Sequence, residues 1–310
     1  MPFQKYQPQS HSLSRPAKRP ELSAQAARIQ AKTWLQNDAL SPQQVAVLEL
    51  LATAGVMTTS QLLSHIPLAS RSLRRYHLQH LVDHLRAPKE LLKHNLPQQY
   101  RKMRLYTLGI AGQAWVELQK RQVNRYNDHR VMQVTHDVLC NEVVSALICA
   151  AEEAGYDTTW YGKLEARVRD NEHERRICVL EPDALLVLRK NRRKVAFAIE
   201  LHNEDHRNRA IEKVERYEQV ARGDVWRRAW PLDEFPFVLV AFHRKPVVNG
   251  YADVLTDLNR RGLACTYLAR PLGQILSRHQ LDTWVNLASG QNTRIIGGRQ
   301  GFLLSGYDGS

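Results

Sequence analysis

Cysteine is scarce in this chain: there are four in 310 residues, Cys140, Cys149, Cys178 and Cys265, each among apolar neighbours and none in a CxxC pair. That spacing argues against a disulfide-stapled scaffold or a cysteine-rich zinc site, and the four read as reduced core residues of a cytoplasmic protein. Long apolar runs are lacking too. The longest largely apolar stretch, 143–151, falls well short of the roughly 20 residues that a bilayer-spanning helix needs. The first thirty residues carry Gln, Ser, Lys and Arg where a signal peptide has its apolar core, so neither a membrane protein nor an exported one is expected. Acidic residues are scarce in one part only. Residues 1–130 hold 7 Asp+Glu against 19 Lys+Arg, whereas residues 131–310 hold 24 against 25. The net charge of +13 therefore sits almost wholly in the N-terminal part, where a phosphate backbone, that of double-stranded DNA, is the expected partner.

With 310 residues and 43% hydrophobic content, the chain is long enough for two domains with their own cores. Residues 1–39 read as a basic N-terminal arm. Its first twenty are rich in Gln, Ser, Pro and basic side chains, and a short amphipathic helix runs over 21–35 through Ala27, Ile29 and Trp34. A helix then opens at Ser41, a suitable N-cap, with Pro42 at its first position; Val45, Leu48, Leu51 and Ala52 form its apolar face and Gly55 stops it. A second helix follows Thr58-Thr59-Ser60. A third opens near residue 69, with Leu73, Leu78 and Leu81 expected inward and with Arg71, Ser72, Arg74, Arg75, Tyr76 and Gln79 shown outward. Those are the donor types used on phosphates and base edges. Strand-like stretches at 91–95 and 104–109 flank a basic segment holding Arg101 and Lys102. Helix, helix, basic helix and hairpin over 40–125 predict a winged helix-turn-helix with the third helix as reader and 97–104 as wing. A small protein-interaction module of the same shape is the alternative.

The second domain is expected over 126–289, with a loose, Gly- and Ser-rich tail at 290–310. A helix ended by Gly155 presents His136, Cys140, Val143, Val144, Leu147 and Ala151 inward, with Glu142 between apolar turns. Strand-like stretches at 156–166 and 176–180 lead to a hairpin made of an apolar run 184–188, a basic turn 189–194 and a second apolar run 195–201. A helix over 206–221, an apolar strand over 235–242, a helix over 251–261 and a short strand over 265–268 complete an α+β or α/β layer with a mixed sheet. Asp183 opens the first hairpin strand and Glu200 closes the second, so a hairpin turned near Asn191 brings both carboxylates into one small volume. Two like charges that close invite a divalent cation.

Pro182-Asp183 followed by Glu200-Leu201-His202 resembles the PD-(D/E)xK nuclease signature, with His202 where that pattern has lysine. The order of a PDA element, a strand ending in Glu-Leu-x and a helix with Lys213-x-x-Arg-Tyr217 is similar to the replication-relaxation family of plasmid and mobile-element proteins. The resemblance implies a winged helix followed by a PD-(D/E)xK restriction-endonuclease-like domain. It implies Mg²⁺ or Mn²⁺ held by Asp183, Glu200 and the Leu201 carbonyl, with Glu142 as a further ligand from the preceding helix. The metal would polarise the phosphorus and activate a bound water. His202 donates a hydrogen bond but is mostly neutral at pH 7, so Lys213 would supply the missing charge. Whether the domain is an Mg-dependent endonuclease or an inactive relative is left open. In the second case the protein would be a transcription or mobilisation regulator that recruits a relaxase or replication initiator. A homodimer is an open alternative.

Overall fold

The computed structural model describes residues 21–68, 70–86, 104–123, 131–170, 177–203, 207–259 and 262–296. The segment 1–20, the strand expected at 91–95, the wing with Arg101 and Lys102, and the boundary expected near 125 lie outside the described residues, as does 297–310. The chain divides into two compact units between Val138 and Leu139.

The first unit opens with α1 (Ala24–Gln36), whose small buried residues Ala27 and Ala31 let it pack closely on α5 (Ile110–Leu118). Between them come α2 (Pro42–Ala54), β1 (Val56–Thr58), α3 (Thr59–His65), α4 (Ser70–Leu78), β2 (Val82–Arg86) and β3 (Arg104–Leu108). The start of α2 follows the sequence signals. Ser41 and Gln44 form a capping box, Pro42 takes the first turn, and Gly55 ends the helix at φ 76, a conformation that disfavours any other residue. Thr58 and Gln61 repeat the box on α3. The three strands form an antiparallel sheet in the order β1-β3-β2. At Gly112 of α5 a Cβ would collide with the Leu81 carbonyl, so only glycine lets that helix approach the start of β2.

The described hairpin uses 82–86 and 104–108, so the third helix ends earlier than the sequence pattern suggests. His80, at φ 59, breaks the helix, and Leu81 (1% exposed) reaches the core from beyond it. The 3.6-residue period therefore stops at residue 78. Leu73 and Tyr76 are buried, whereas Leu78 is 59% exposed, against the inward placement expected for it. Five residues on from Leu73 is about 140° around a helix, which is why Leu78 cannot share its face.

Helix α6 (Val131–Glu153) carries the division between the units. Its segment Met132–Glu153 is long and apolar enough, by composition, to cross a membrane, but 83% of it is buried within the protein, as in a core helix. Then follow β4 (Asp157–Gly162), β5 (Val168–Asp170), β6 (Ile177–Leu180), β7 (Ala184–Lys190), β8 (Arg193–His202), α7 (Arg207–Arg222), α8 (Val225–Ala229), β9 (Phe237–Phe242), α9 (Lys245–Asn259), β10 (Tyr267–Pro271), α10 (Leu272–Leu276), β11 (Thr283–Asn286) and β12 (Asn292–Arg294).

Seven strands form one mixed sheet in the order β12-β11-β10-β9-β8-β7-β4, with β8–β9 and β9–β10 parallel and the other pairs antiparallel. Both parallel steps run through helices, as such crossovers require. β5 and β6 pair apart from this sheet. The 7-10-residue strands β7 and β8 turn at Asn191, whose φ of 58 suits asparagine, and register Ala184 against Ile199. The Gly- and Ser-rich end is not loose throughout. β12 joins the sheet and Ile295 and Ile296 are buried, because these apolar residues offset the turn-forming composition around them.

Candidate functional site

The hairpin register decides what the second unit's acidic residues meet. Asp183 donates its backbone N–H to the Ile199 carbonyl at 3.0 Å, extending the ladder one step beyond the Ala184–Ile199 pair and setting Asp183 opposite Glu200. Side chains of opposed residues share a face. That face also carries Leu185, Val187, Ala196 and Ala198, and it packs in one core with Ala210, Val214, Tyr217 and Val220 of α7. This apolar stripe lays α7 beside the two carboxylates.

Glu200 is 1% exposed and fully engaged. Lys213 Nζ donates to its Oε1 at 2.9 Å and lies 2.7 Å from its Oε2, and the Tyr217 hydroxyl donates to Oε1 at 2.7 Å. Lys213 and Tyr217 reach the same acceptor because residues four apart are neighbours on a helix. Lys213 also donates to the Glu181 carbonyl at 3.0 Å. The Leu201 N–H donates to Asp183 Oδ2 at 2.9 Å, and Lys163 Nζ lies 3.8 Å from Oδ1. The Glu181 carboxylate takes Arg167 at 2.8 Å and Lys163 at 3.6 Å. Three carboxylates are thus matched by three cations.

Burial raises the Glu200 carboxyl above its ordinary range; the Lys213 ammonium opposes that rise and Asp183 adds to it. For Lys213, burial alone would lower the value, but Glu200, Asp183 and Glu181 outweigh it and hold the ammonium above its usual range. Tyr217 and Tyr251 are pushed well above ordinary phenols by burial and by the Glu200 charge, so both stay protonated donors.

Of the residues singled out from sequence, Asp183, Glu200 and Lys213 come together. His202 is directed elsewhere: its Nε2 shares a hydrogen bond of 2.9 Å with the Tyr251 hydroxyl of α9, and its ring meets that of Tyr251 edge-on. Arg216 is exposed on α7. Glu142 is buried in α6 at 7% exposure, so it is not a surface glutamate. Among the described residues no group of three or more His, Cys, Asp and Glu side chains is placed to hold a metal. The donors present do not fit a resident divalent ion. Lys213 already covers both Glu200 oxygens, and a metal at Glu200 would have to displace this ammonium.

Sequence reasoning missed the Tyr217 hydroxyl and the cations Lys163 and Arg167. The spacing of Lys213 and Tyr217 was a usable signal for the first; nothing in the sequence marked the others. Glu218, the buried carboxylate of α7, accepts from the N–H groups of Ala264 at 2.8 Å and Cys265 at 3.1 Å, and so secures the segment leading into β10.

The first unit offers a surface of the opposite kind. On α4, Arg71, Arg74 and Arg75 are exposed, Ser72 is half-buried and Gln79, just past the helix, is exposed and accepts from Gln44 Nε2 at 3.1 Å. Tyr76 does not take the outward place expected for it. At 5% exposure it belongs to the core, because its place three residues after Leu73 turns it inward with that leucine.

No curated protein matches the chain. Among solved structures it is similar to the restriction endonuclease FokI, at 12% identity and a TM-score of 0.28, over 76% of this chain and 43% of that one. It therefore spans less than half the length of that endonuclease. The family model described as replication-relaxation matches residues 48–231, more than half of the 310. The chain belongs to the replication-relaxation family.

Proposed function

We propose that this protein binds double-stranded DNA through its first unit, read as a winged helix with α4 in the major groove, and that the second unit acts without metal-dependent cutting. The observation that carries this reading is the outward row of Arg71, Arg74 and Arg75 on α4. None of the three is paired with a described carboxylate, and they lie in the part of the chain that holds nearly all the excess positive charge. Guanidinium groups so placed release counterions from a duplex and grip phosphates or guanine edges. The helix–strand–helix–helix–hairpin order supports the winged-helix reading. In this role the protein is a cytoplasmic regulator of a plasmid or related mobile element, presenting DNA to a relaxase or replication initiator.

A second reading, a Mg²⁺- or Mn²⁺-dependent nuclease, draws on the convergence of Asp183, Glu200 and Lys213 at the hairpin end. Against it stands the charge balance of that cluster, in which Lys213 holds Glu200 from the protein's own side. The binding test uses the full chain and a duplex of random sequence across a salt series. Wild type should bind with log K falling steeply against log salt, and the Arg71→Ala/Arg74→Ala/Arg75→Ala variant should bind more weakly and with a flatter slope. An unchanged slope in the variant would remove α4 as the contact.

A further inference from the structure

Between the arginines of α4 sits a residue that the basic face does not explain. At about 100° per residue, Arg71, Arg74, Arg75 and Leu78 fall within roughly 100° of arc, and Leu78 lies inside that arc, between Arg74 and Arg75. Leu73 and Tyr76 point to the other side and are buried. Leu78 is the exception among the apolar residues of this helix, at 59% exposure. Arg71 and Leu78 are separated by about 10.5 Å along the axis, a span of about three base-pair steps.

The geometry points to Leu78 as a specificity-determining residue that reads a thymine methyl on the floor of the major groove, an inference that rests on the DNA-binding reading above. A helix laid in the groove turns the centre of its exposed arc to the base edges and its flanks to the phosphate walls. Arg74 and Arg75 at the flanks suit the walls, while Arg71 and Leu78 share the centre two turns apart, where the leucine has one apolar partner, the C5-methyl of thymine. An exposed leucine on a surface that faced only solvent or phosphate would gain nothing from that position. Among the other large exposed apolar residues described, Ile29, Leu35, Met132 and Val285, none lies on α4.

The experiment begins with selection of preferred duplexes by the full-length protein from a random pool, followed by replacement of each thymine of the selected site by deoxyuridine, which differs only in lacking the methyl. Burial of one methyl predicts a loss of about two- to fourfold in affinity at one or two thymines. In Leu78→Ala, which shortens a mostly exposed side chain and should keep the wild-type melting temperature and salt slope, the same replacement should cost nothing. A selected site indifferent to deoxyuridine at every thymine overturns the inference and leaves DNA binding standing, as does binding without any sequence preference. A deoxyuridine penalty of equal size in wild type and Leu78→Ala also overturns it, since another residue would then be the reader. Failure of the wild type to bind any duplex overturns the DNA-binding reading, and this inference with it.

Discussion

The two units use the same cationic side chains in opposite ways. On α4, three arginines stand outward with no described carboxylate to hold them, while at the β7–β8 hairpin end Lys163, Arg167 and Lys213 are each bound to acids of the same unit. The difference lies in burial. A charge left in water keeps its hydration and remains available to a polyanion, but a carboxylate at 1% exposure must be paired where it stands. Net charge follows the same division. An excess of 12 basic residues in 1–130 and of one in 131–310 puts nearly all the net positive charge in the first part.

The largest expected effect is on stability in the second unit. Lys213→Ala leaves Glu200 buried without its ammonium and should lower unfolding free energy by about 3 kcal/mol in urea titrations, whereas the triple alanine variant of α4 should change it by no more than about 0.5 kcal/mol. Equal losses would erase the contrast between the two regions. Next in size is the salt dependence. Loss of three phosphate contacts flattens the slope of log K against log salt by up to about 2.7, and Lys213→Ala should leave that slope as it is in the wild type.

A smaller effect concerns pH. Folding raises the Glu200 carboxyl above its ordinary value of 4.5, so the folded state holds that proton more tightly than the unfolded one. The stability this group contributes is therefore full below pH 4.5 and is lost as pH rises through its folded value. Glu200→Gln cannot titrate, and the stability difference between it and wild type should shift in its favour over that rise. A difference that stays flat, or moves the other way, would mean that the Lys213 ammonium and Tyr217 hydroxyl outweigh burial. Lys213 behaves as the raised-base case: its contribution is full below its ordinary value of 10.5 and lost as pH rises through the higher folded value. Smallest of all, the part-exposed Arg121–Glu49 pair of the first unit should cost under about 1 kcal/mol on Arg121→Ala, and less still in high salt.

Much of this was legible in the sequence where local chemistry decides the outcome. Ser41, Pro42 and Gly55 bounded α2 because caps act over three or four residues, and the acids at 183 and 200 marked the hairpin because carboxylates are costly in an apolar sheet. What could not be read depends on where elements stop and on what packs against them. Leu78 falls about 140° around α4 from Leu73 and faces out, Tyr76 took the inward place, and Leu81 reaches the core from beyond the break at His80. Lys163 and Arg167 lie 14 to 20 residues before their partners, with no periodic signal joining them. The sequence also left open what would neutralise Asp183 and Glu200, since an ion and an ammonium from α7 satisfy the same demand; only the positions of Lys213 and Tyr217 on α7 distinguish them.

The contrast between an outward basic helix and a self-neutralised acidic cluster is tested most directly by incubating the full-length protein with supercoiled DNA, with and without Mg²⁺ or Mn²⁺, and resolving bound and cleaved species. Retarded but uncut DNA in every condition, with retardation lost in the triple arginine variant, is the predicted result. Nicked or linear product that requires the metal and disappears in Asp183→Ala would contradict it, and would show that the Lys213–Glu200 pair opens to admit a cation.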